Sequence, residues 1–366
     1  MTMGGASPRY AWVLSGRFTP DSTPSPRSEF AVFLDRFGGD LYSCTTLDGP
    51  SPPLARALTR AGWPRLALAT LIRTKLRDYD AIIASGEDIG VPIALASLAG
   101  LSRVPVHMMF HGHHLDSPKL RRLAPVLRRM THVHFHCLSE SLRARTQVIL
   151  GIPEERCHAT GYGVDTQYFG GGTPDTALIA SAGAANRDYG TLAEAVRDLP
   201  VAVSIAADST WVAPESAGGN GDWPPNVEAR SYGTYGHLRD LYGRAAFVVV
   251  PLHPARHACG YAVIAEAMAM GRAVIATRTD APPDFLIPGV SGLFSEPHDV
   301  AGLRARICQL LADPAEAVEL GRQARALMVA THGLEQYCDR LERIVSASIT
   351  NSTSYPHTAR SHRAAA

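Results

Sequence analysis

Three things are missing from this sequence, and each absence excludes a class of protein. No apolar run approaches the ~18 residues that a membrane-spanning helix needs, so nothing is expected to cross a bilayer. Charge of one sign is missing: 35 Lys and Arg face 34 Asp and Glu, and the net +1 gives no overall field for nucleic acid. The six cysteines (44, 137, 157, 259, 308 and 338) contain no CxxC pair, so neither a zinc site nor a disulfide framework is expected. Met1–Pro8 is small and polar, without the apolar core of a signal peptide. The expectation is a cytoplasmic protein with reduced thiols.

What remains is globular material, 46% apolar and 19% charged, enough for a sizeable core. A length of 366 residues suggests two domains. Short β-branched runs alternate with Ala- and Leu-rich segments, which indicates an α/β architecture. The most informative stretch is Phe247–Phe294. Phe247–Pro251 reads as a buried strand, Ala262–Met270 as a helix that Gly271 stops, and Ala273–Thr277 as a second strand. Together they form one βαβ unit. Glu266 is the single carboxylate on that apolar helix. It either points to solvent or holds a ligand hydroxyl, because an unpartnered buried Glu is costly.

Earlier in the chain, strands are expected at Tyr10–Ser15, Asp40–Asp48, Tyr79–Ala84, Val104–Phe110 and His132–Leu138. Gly16 follows the first strand directly, where a backbone can approach a ligand. The polar run Ser85-Gly86-Glu87-Asp88 follows the third, ahead of a helix over Pro92–Ala99. His111-Gly112-His113-His114 ends the fourth. No Asp, Glu or Cys with convincing ligand spacing accompanies these histidines, so His111 is read as a hydrogen-bonding side chain at a cleft rather than a metal ligand. Residues 117–130 carry five basic residues on a helix that Pro125 should interrupt. A solvated basic face and weak contact with an anionic membrane surface both remain open.

The composition shifts at Gly170–Pro174, which divides the chain into domains 1–169 and 170–348, with 349–366 as a disordered tail. Leu178–Ser181 is a strand leading to Arg187 at the start of the next helix. A cation there, beside free backbone N–H groups, suits a phosphate, or else pairs with a neighbouring acid. Trp211–Pro225 is a polar, glycine-rich loop without an assigned role. Leu334–Ser348 is the last helix, with Leu334, Tyr337, Leu341 and Val345 at helical spacing.

The run EAMAMGRAVIATRTDAPPDFLIPGVSGLF, with the earlier LGIPEERCHATGYGVDTQYF, resembles the group 1 retaining glycosyltransferases of GT-B fold. The resemblance covers roughly Tyr10 to Ser348. It implies two Rossmann-like domains facing across a cleft, an acceptor side in the first and nucleotide-sugar binding in the second, with the last helix packing back toward the first. The implied activity is transfer of a sugar from a nucleoside diphosphate to an acceptor hydroxyl, with retention. An epimerase or hydrolase acting on a nucleotide sugar and a non-catalytic binding protein stay open as alternatives.

By this resemblance His111 and Arg187 are the catalytic candidates, and Gly16, Arg187, His257, Cys259, Gly260 and Glu266 bind the donor. Glu266 corresponds to the second Glu of the family's E-x7-E motif, the ribose clamp; the first falls at Ala258. Arg187 corresponds to the Lys of the diphosphate-binding pair, whose Arg falls at Ala184. No cofactor and no metal are expected, and the implied partners are a nucleotide sugar and an acceptor.

Overall fold

The computed structural model describes residues 8–18, 25–207 and 223–353. The first half contains β1 (Tyr10–Val13), α1 (Glu29–Phe37), β2 (Asp40–Tyr42), α2 (Pro53–Arg60), α3 (Pro64–Lys75), β3 (Ala81–Ala84) and α4 (Glu87–Ala99). It continues with β4 (Val106–Phe110), α5 (Pro118–Arg129), β5 (Val133–Cys137), α6 (Glu140–Leu150) and β6 (Cys157–Ala159). These strands form one parallel sheet in the order β2-β1-β3-β4-β5-β6.

The second half repeats the plan. It contains β7 (Asp175–Ala182), α7 (Tyr189–Val196), β8 (Ala202–Ala206), β9 (Val227–Arg230), α8 (Tyr235–Arg244) and β10 (Ala245–Val250). Then come α9 (Tyr261–Ala269), β11 (Ala273–Thr277), β12 (Leu293–Ser295), α10 (Val300–Ala312), α11 (Pro314–Leu327) and α12 (Leu334–Thr353). Its sheet is also parallel, in the order β12-β11-β10-β7-β8-β9. Parallel strands need crossover helices, which cover both faces, so their sequences are apolar throughout. Accordingly Phe247–Val250 and Ala273–Ile275 are wholly buried. No helix among the described residues is long and apolar enough to cross a membrane.

Sheet alternation sends Tyr10, Trp12, Ala81, Ile83 and Met109 to one face of the first sheet. The chain's last helix, α12, covers that face with Leu334, Tyr337, Cys338, Leu341 and Val345. Several local expectations need correction. The strand expected over Asp40–Asp48 ends at Tyr42, because Ser43 caps a 3₁₀ turn over Cys44–Asp48. α4 starts at Glu87 rather than Pro92, and Pro92 and Pro125 both sit inside their helices. Proline's fixed φ suits a helix; its cost is one lost backbone hydrogen bond and the crowding of its ring against the carbonyl four residues back. In α5 the basic side chains lie on the exposed face, while Leu120, Ala124 and Leu127 are buried. The last helix continues past Ser348 to Thr353. Residues 354–366, 21–24 of the first loop and 211–222 of the glycine-rich loop lie outside the described residues.

The same face of the first sheet carries four histidines in register. His107 lies opposite His134, and His136 opposite His158. The His107 and His134 rings stack at 4.6 Å. A hydrogen-bonded chain runs from Ser348 of α12 through His107 (2.9 Å) and His136 (2.8 Å) to Thr160 (2.6 Å). Burial first, then mutual repulsion, pushes all four well below the ordinary value near 6.5; His134 falls to about 3, while for His158, at about 4, the repulsion comes from Arg143. They are therefore neutral in the fold. An unfolded imidazole takes up a proton below about 6.5 and the folded one does not. Stability is complete above that value and falls as the pH drops. Between pH 6.5 and 5, His107 and His136 should each lower stability as their unfolded forms take up a proton. Thermal unfolding at pH 7 and pH 5 checks this: a marked drop in melting temperature is expected, and equal values would refute neutral burial.

Candidate active site

In the second sheet the chain order reverses between β7 and β10, so the loops leaving their carboxyl ends diverge and open a crevice. Those two loops are stitched together. Asp188 N–H donates to the Pro251 carbonyl (3.1 Å) and His253 N–H to that of Asn186 (3.2 Å). Arg187 sits in the first loop. Its guanidinium donates to the carbonyls of Ala182 (2.8 Å) and Ala185 (2.7 Å), which fixes its direction. Gly183 makes this fold possible: at φ +96° it adopts a backbone that favours glycine, and a Cβ there would stand 2.5 Å from the guanidinium.

Glu266 projects from α9 and is 9% exposed. Its carboxylate accepts a hydrogen bond from the Tyr242 hydroxyl (3.2 Å). Burial raises its pKa to about 8, against the opposing effects of Tyr242 and the Arg187 charge. The bland reading, a solvent-facing Glu, is excluded. Gly260 caps α9 at φ +77°, and no side chain among the described residues caps its first turn, whose amides are then suited to a ligand. Cys259 accepts from Asn186 Nδ2 (3.4 Å), and burial holds its thiol in the neutral form.

The loop after β4 faces this crevice. Ala258 N–H donates to the His111 carbonyl (2.9 Å), which joins the loops of the two sheets. The His113 and His257 rings stand 4.4 Å apart across the same junction. Glu87, at the first turn of α4, lies behind His111. One carboxylate oxygen accepts from His111 N–H (3.0 Å) and approaches Nδ1 at 3.5 Å. The other oxygen is buried without a protein partner. Burial opposes the Glu87 charge, but His111 outweighs it and brings the carboxyl down to about 2. Burial likewise lowers His111, and Glu87 overcomes it to raise the imidazole above its ordinary value.

The structure therefore assembles Arg187, Cys259, Gly260, Glu266, His257 and His111 around one junction. It does not bring Gly16 there; that glycine lines a cavity at the carboxyl edge of the first sheet. Glu87, Tyr242 and Gly183 were not singled out in sequence. The strand-end position of Ser85–Asp88 signalled Glu87, whereas nothing in the helix around Tyr242 did. Among the described residues the metal-competent group is not the histidine run at 111–114. It is Asp188, His253 and His298, whose ligand atoms lie within 4.8 Å of one another. Asp188 already accepts from Thr191 N–H (3.1 Å) and Thr191 Oγ1 (2.7 Å) as the cap of α7, and lies 2.8 Å from His298 Nδ1.

Two family models match the sequence: Glycosyltransferase Family 4 over residues 18–168 and Glycosyl transferases group 1 over 218–313. No curated protein matches. Among solved structures, sucrose-phosphate synthase from Thermosynechococcus elongatus superposes with a TM-score of 0.70 at 16% identity, covering 94% of this chain and 100% of its own. Anabaena HepE, solved with UDP and glucose, gives 0.68 at 14% identity over 93% and 100%. A glycosyltransferase from Rickettsia africae gives 0.69 at 15% over 94% and 99%. All three share the fold of two facing parallel sheets.

The ion pair behind His111 has a direct readout. Glu87→Gln removes the charge but keeps a carbonyl oxygen for the His111 N–H. The His111 titration midpoint, followed by NMR, should fall in the variant. An unchanged midpoint would mean that Glu87 does not hold the proton on His111.

Proposed function

The chain belongs to the group 1 glycosyltransferases, with GT-B fold, and we propose that it moves a sugar from a nucleoside diphosphate to an acceptor hydroxyl with retention at the anomeric carbon. The observation that carries this reading is the convergence of Arg187, Glu266 and the α9 N-terminus at one topological switch point, facing His111. Glu266 suits the ribose, since a carboxylate can accept from two adjacent hydroxyls. Arg187 and the amides after Gly260 suit the diphosphate.

In the reaction the bond from the anomeric carbon to the diphosphate breaks, and its electron pair leaves on the phosphate oxygen. Arg187 and the α9 amides stabilise that developing charge. The acceptor oxygen forms its bond on the same face, and its proton passes to the departing phosphate oxygen. The nearest carboxylate to His111, Glu87, is paired with it and acts through the imidazole rather than as a nucleophile. Ala258 offers the donor sugar no carboxylate, and its N–H is already bonded to His111. Sugar contacts fall instead to His111 and His257.

UDP-glucose is a suitable first probe, because HepE was solved with it. Calorimetric affinity should rise with pH toward about 8 and then level, since ribose hydroxyls favour ionised Glu266. Glu266→Gln should bind roughly tenfold to a hundredfold more weakly and lose that pH dependence. If no nucleoside diphosphate sugar binds, the reading fails. Arg187→Ala should lower kcat more than donor affinity. Turnover should survive EDTA, because Arg187 and the helix end take the place of a divalent ion; abolition by EDTA would overturn that part.

A further inference from the structure

The first sheet has its own switch point, between β1 and β3, and the structure builds a crevice there. The loops leaving those strands are joined by a hydrogen bond from Ser15 N–H to Ser85 Oγ (3.2 Å). The crevice has a volume of about 780 Å³, within the range of small-molecule sites. We propose that it binds the uncharged, apolar part of the acceptor, an alkyl or aryl group carried beside the reacting hydroxyl. This rests on the transferase reading above and adds the acceptor's chemical class.

Three observations carry the proposal. The walls are chiefly apolar, formed by Leu47, Trp63, Pro64, Leu66 and Pro92. Trp63 and Leu66 are 58% and 44% exposed, so a ligand would cover large apolar side chains now facing water. The charges in the walls are already neutralised. Arg17 pairs with Asp48, and Arg65 Nε stands 3.1 Å from Asp88. An anionic acceptor would meet arginines whose charge is already shared with Asp48 and Asp88. One wall of the crevice, Asp88, lies beside the loop that carries His111. A Cβ built on Gly86 would lie 2.8 Å from the Asp88 carboxylate and 3.8 Å from His111 Nδ1, so the Asp88 wall and His111 flank the same peptide. An acceptor seated on Trp63 would present its hydroxyl toward His111.

The test uses the full chain and three probes in calorimetry: phenyl β-glucoside, octyl β-glucoside below its micelle-forming concentration, and glucose 6-phosphate. One or both neutral glucosides should bind about tenfold or more tightly than glucose 6-phosphate, and serve as acceptors. Preference for octyl assigns an alkyl chain, and preference for phenyl an aryl group. Trp63→Ala, at an exposed position, should weaken glucoside binding about tenfold and leave UDP affinity unchanged. Among the described residues nothing lies within 4 Å of a Cβ built on Gly16, so Gly16→Phe can fill the crevice and should abolish glucoside binding. Tighter binding of glucose 6-phosphate, or unchanged glucoside binding in both variants, would overturn the proposal. Failure of every nucleoside diphosphate sugar to bind would overturn the transferase reading alone, since glucoside binding is measured without donor.

Discussion

Both sheets are parallel throughout, and the site depends on that constraint. Parallel strands all end on one edge, so every loop that follows a strand emerges on the same side. The hydrogen bond from Ala258 to His111 shows that these two edges meet. Side chains reinforce the junction: Arg145 bonds the Arg256 carbonyl, and Asp116 stands within ion-pair distance of both arginines. α12 then runs back across the first sheet and ties the chain's end to its beginning. Residues far apart in sequence, such as Glu87, His111, Arg187 and Glu266, become neighbours through this arrangement alone.

Two carboxyl groups of the junction illustrate how burial and partners compete. Glu87 and Glu266 are similarly inaccessible, 5% and 9% exposed. Burial acts on both in the same direction. Glu87 has an imidazole that can share a proton with it, and its pKa drops to about 2. Glu266 has a neutral tyrosine and a more remote arginine, and its pKa climbs to about 8. One carboxylate is therefore charged at neutral pH and favours the protonated form of His111. The other is held in its neutral form near pH 7 by burial. The same residue type takes two tasks because its surroundings differ.

Much of the fold was legible because parallel strands are apolar on both faces and stand out as short runs. Val106–Phe110 and Ala273–Thr277 lie inside or on the expected strands, and Ser139, Asp299 and Asp313, residue types suited to the position, cap their helices. The failures were elements whose signal was weak or borrowed. β9 and β12 are short, and pairing with longer neighbours makes them strands. Glu87 was read in the polar run ahead of a helix over Pro92–Ala99, yet it opens that helix. Gly16, given to the donor residues by the resemblance, lines the crevice at the other switch point.

The sequence by itself determined the alternation of strand and helix, and with it the parallel sheets and the loops available for ligands. It also carried the local chemistry of Glu266, Arg187 and His111, because short-range pattern depends on nearest neighbours. Only the tertiary structure decided which loops meet. It placed Glu87 behind His111, Tyr242 beside Glu266 and the Ala258 backbone across the junction. It also separated the Gly16 crevice from the Glu266 cluster. Proximity and burial are properties of the packed chain, and they set each group's charge through solvent exclusion and partners that no sequence spacing encodes.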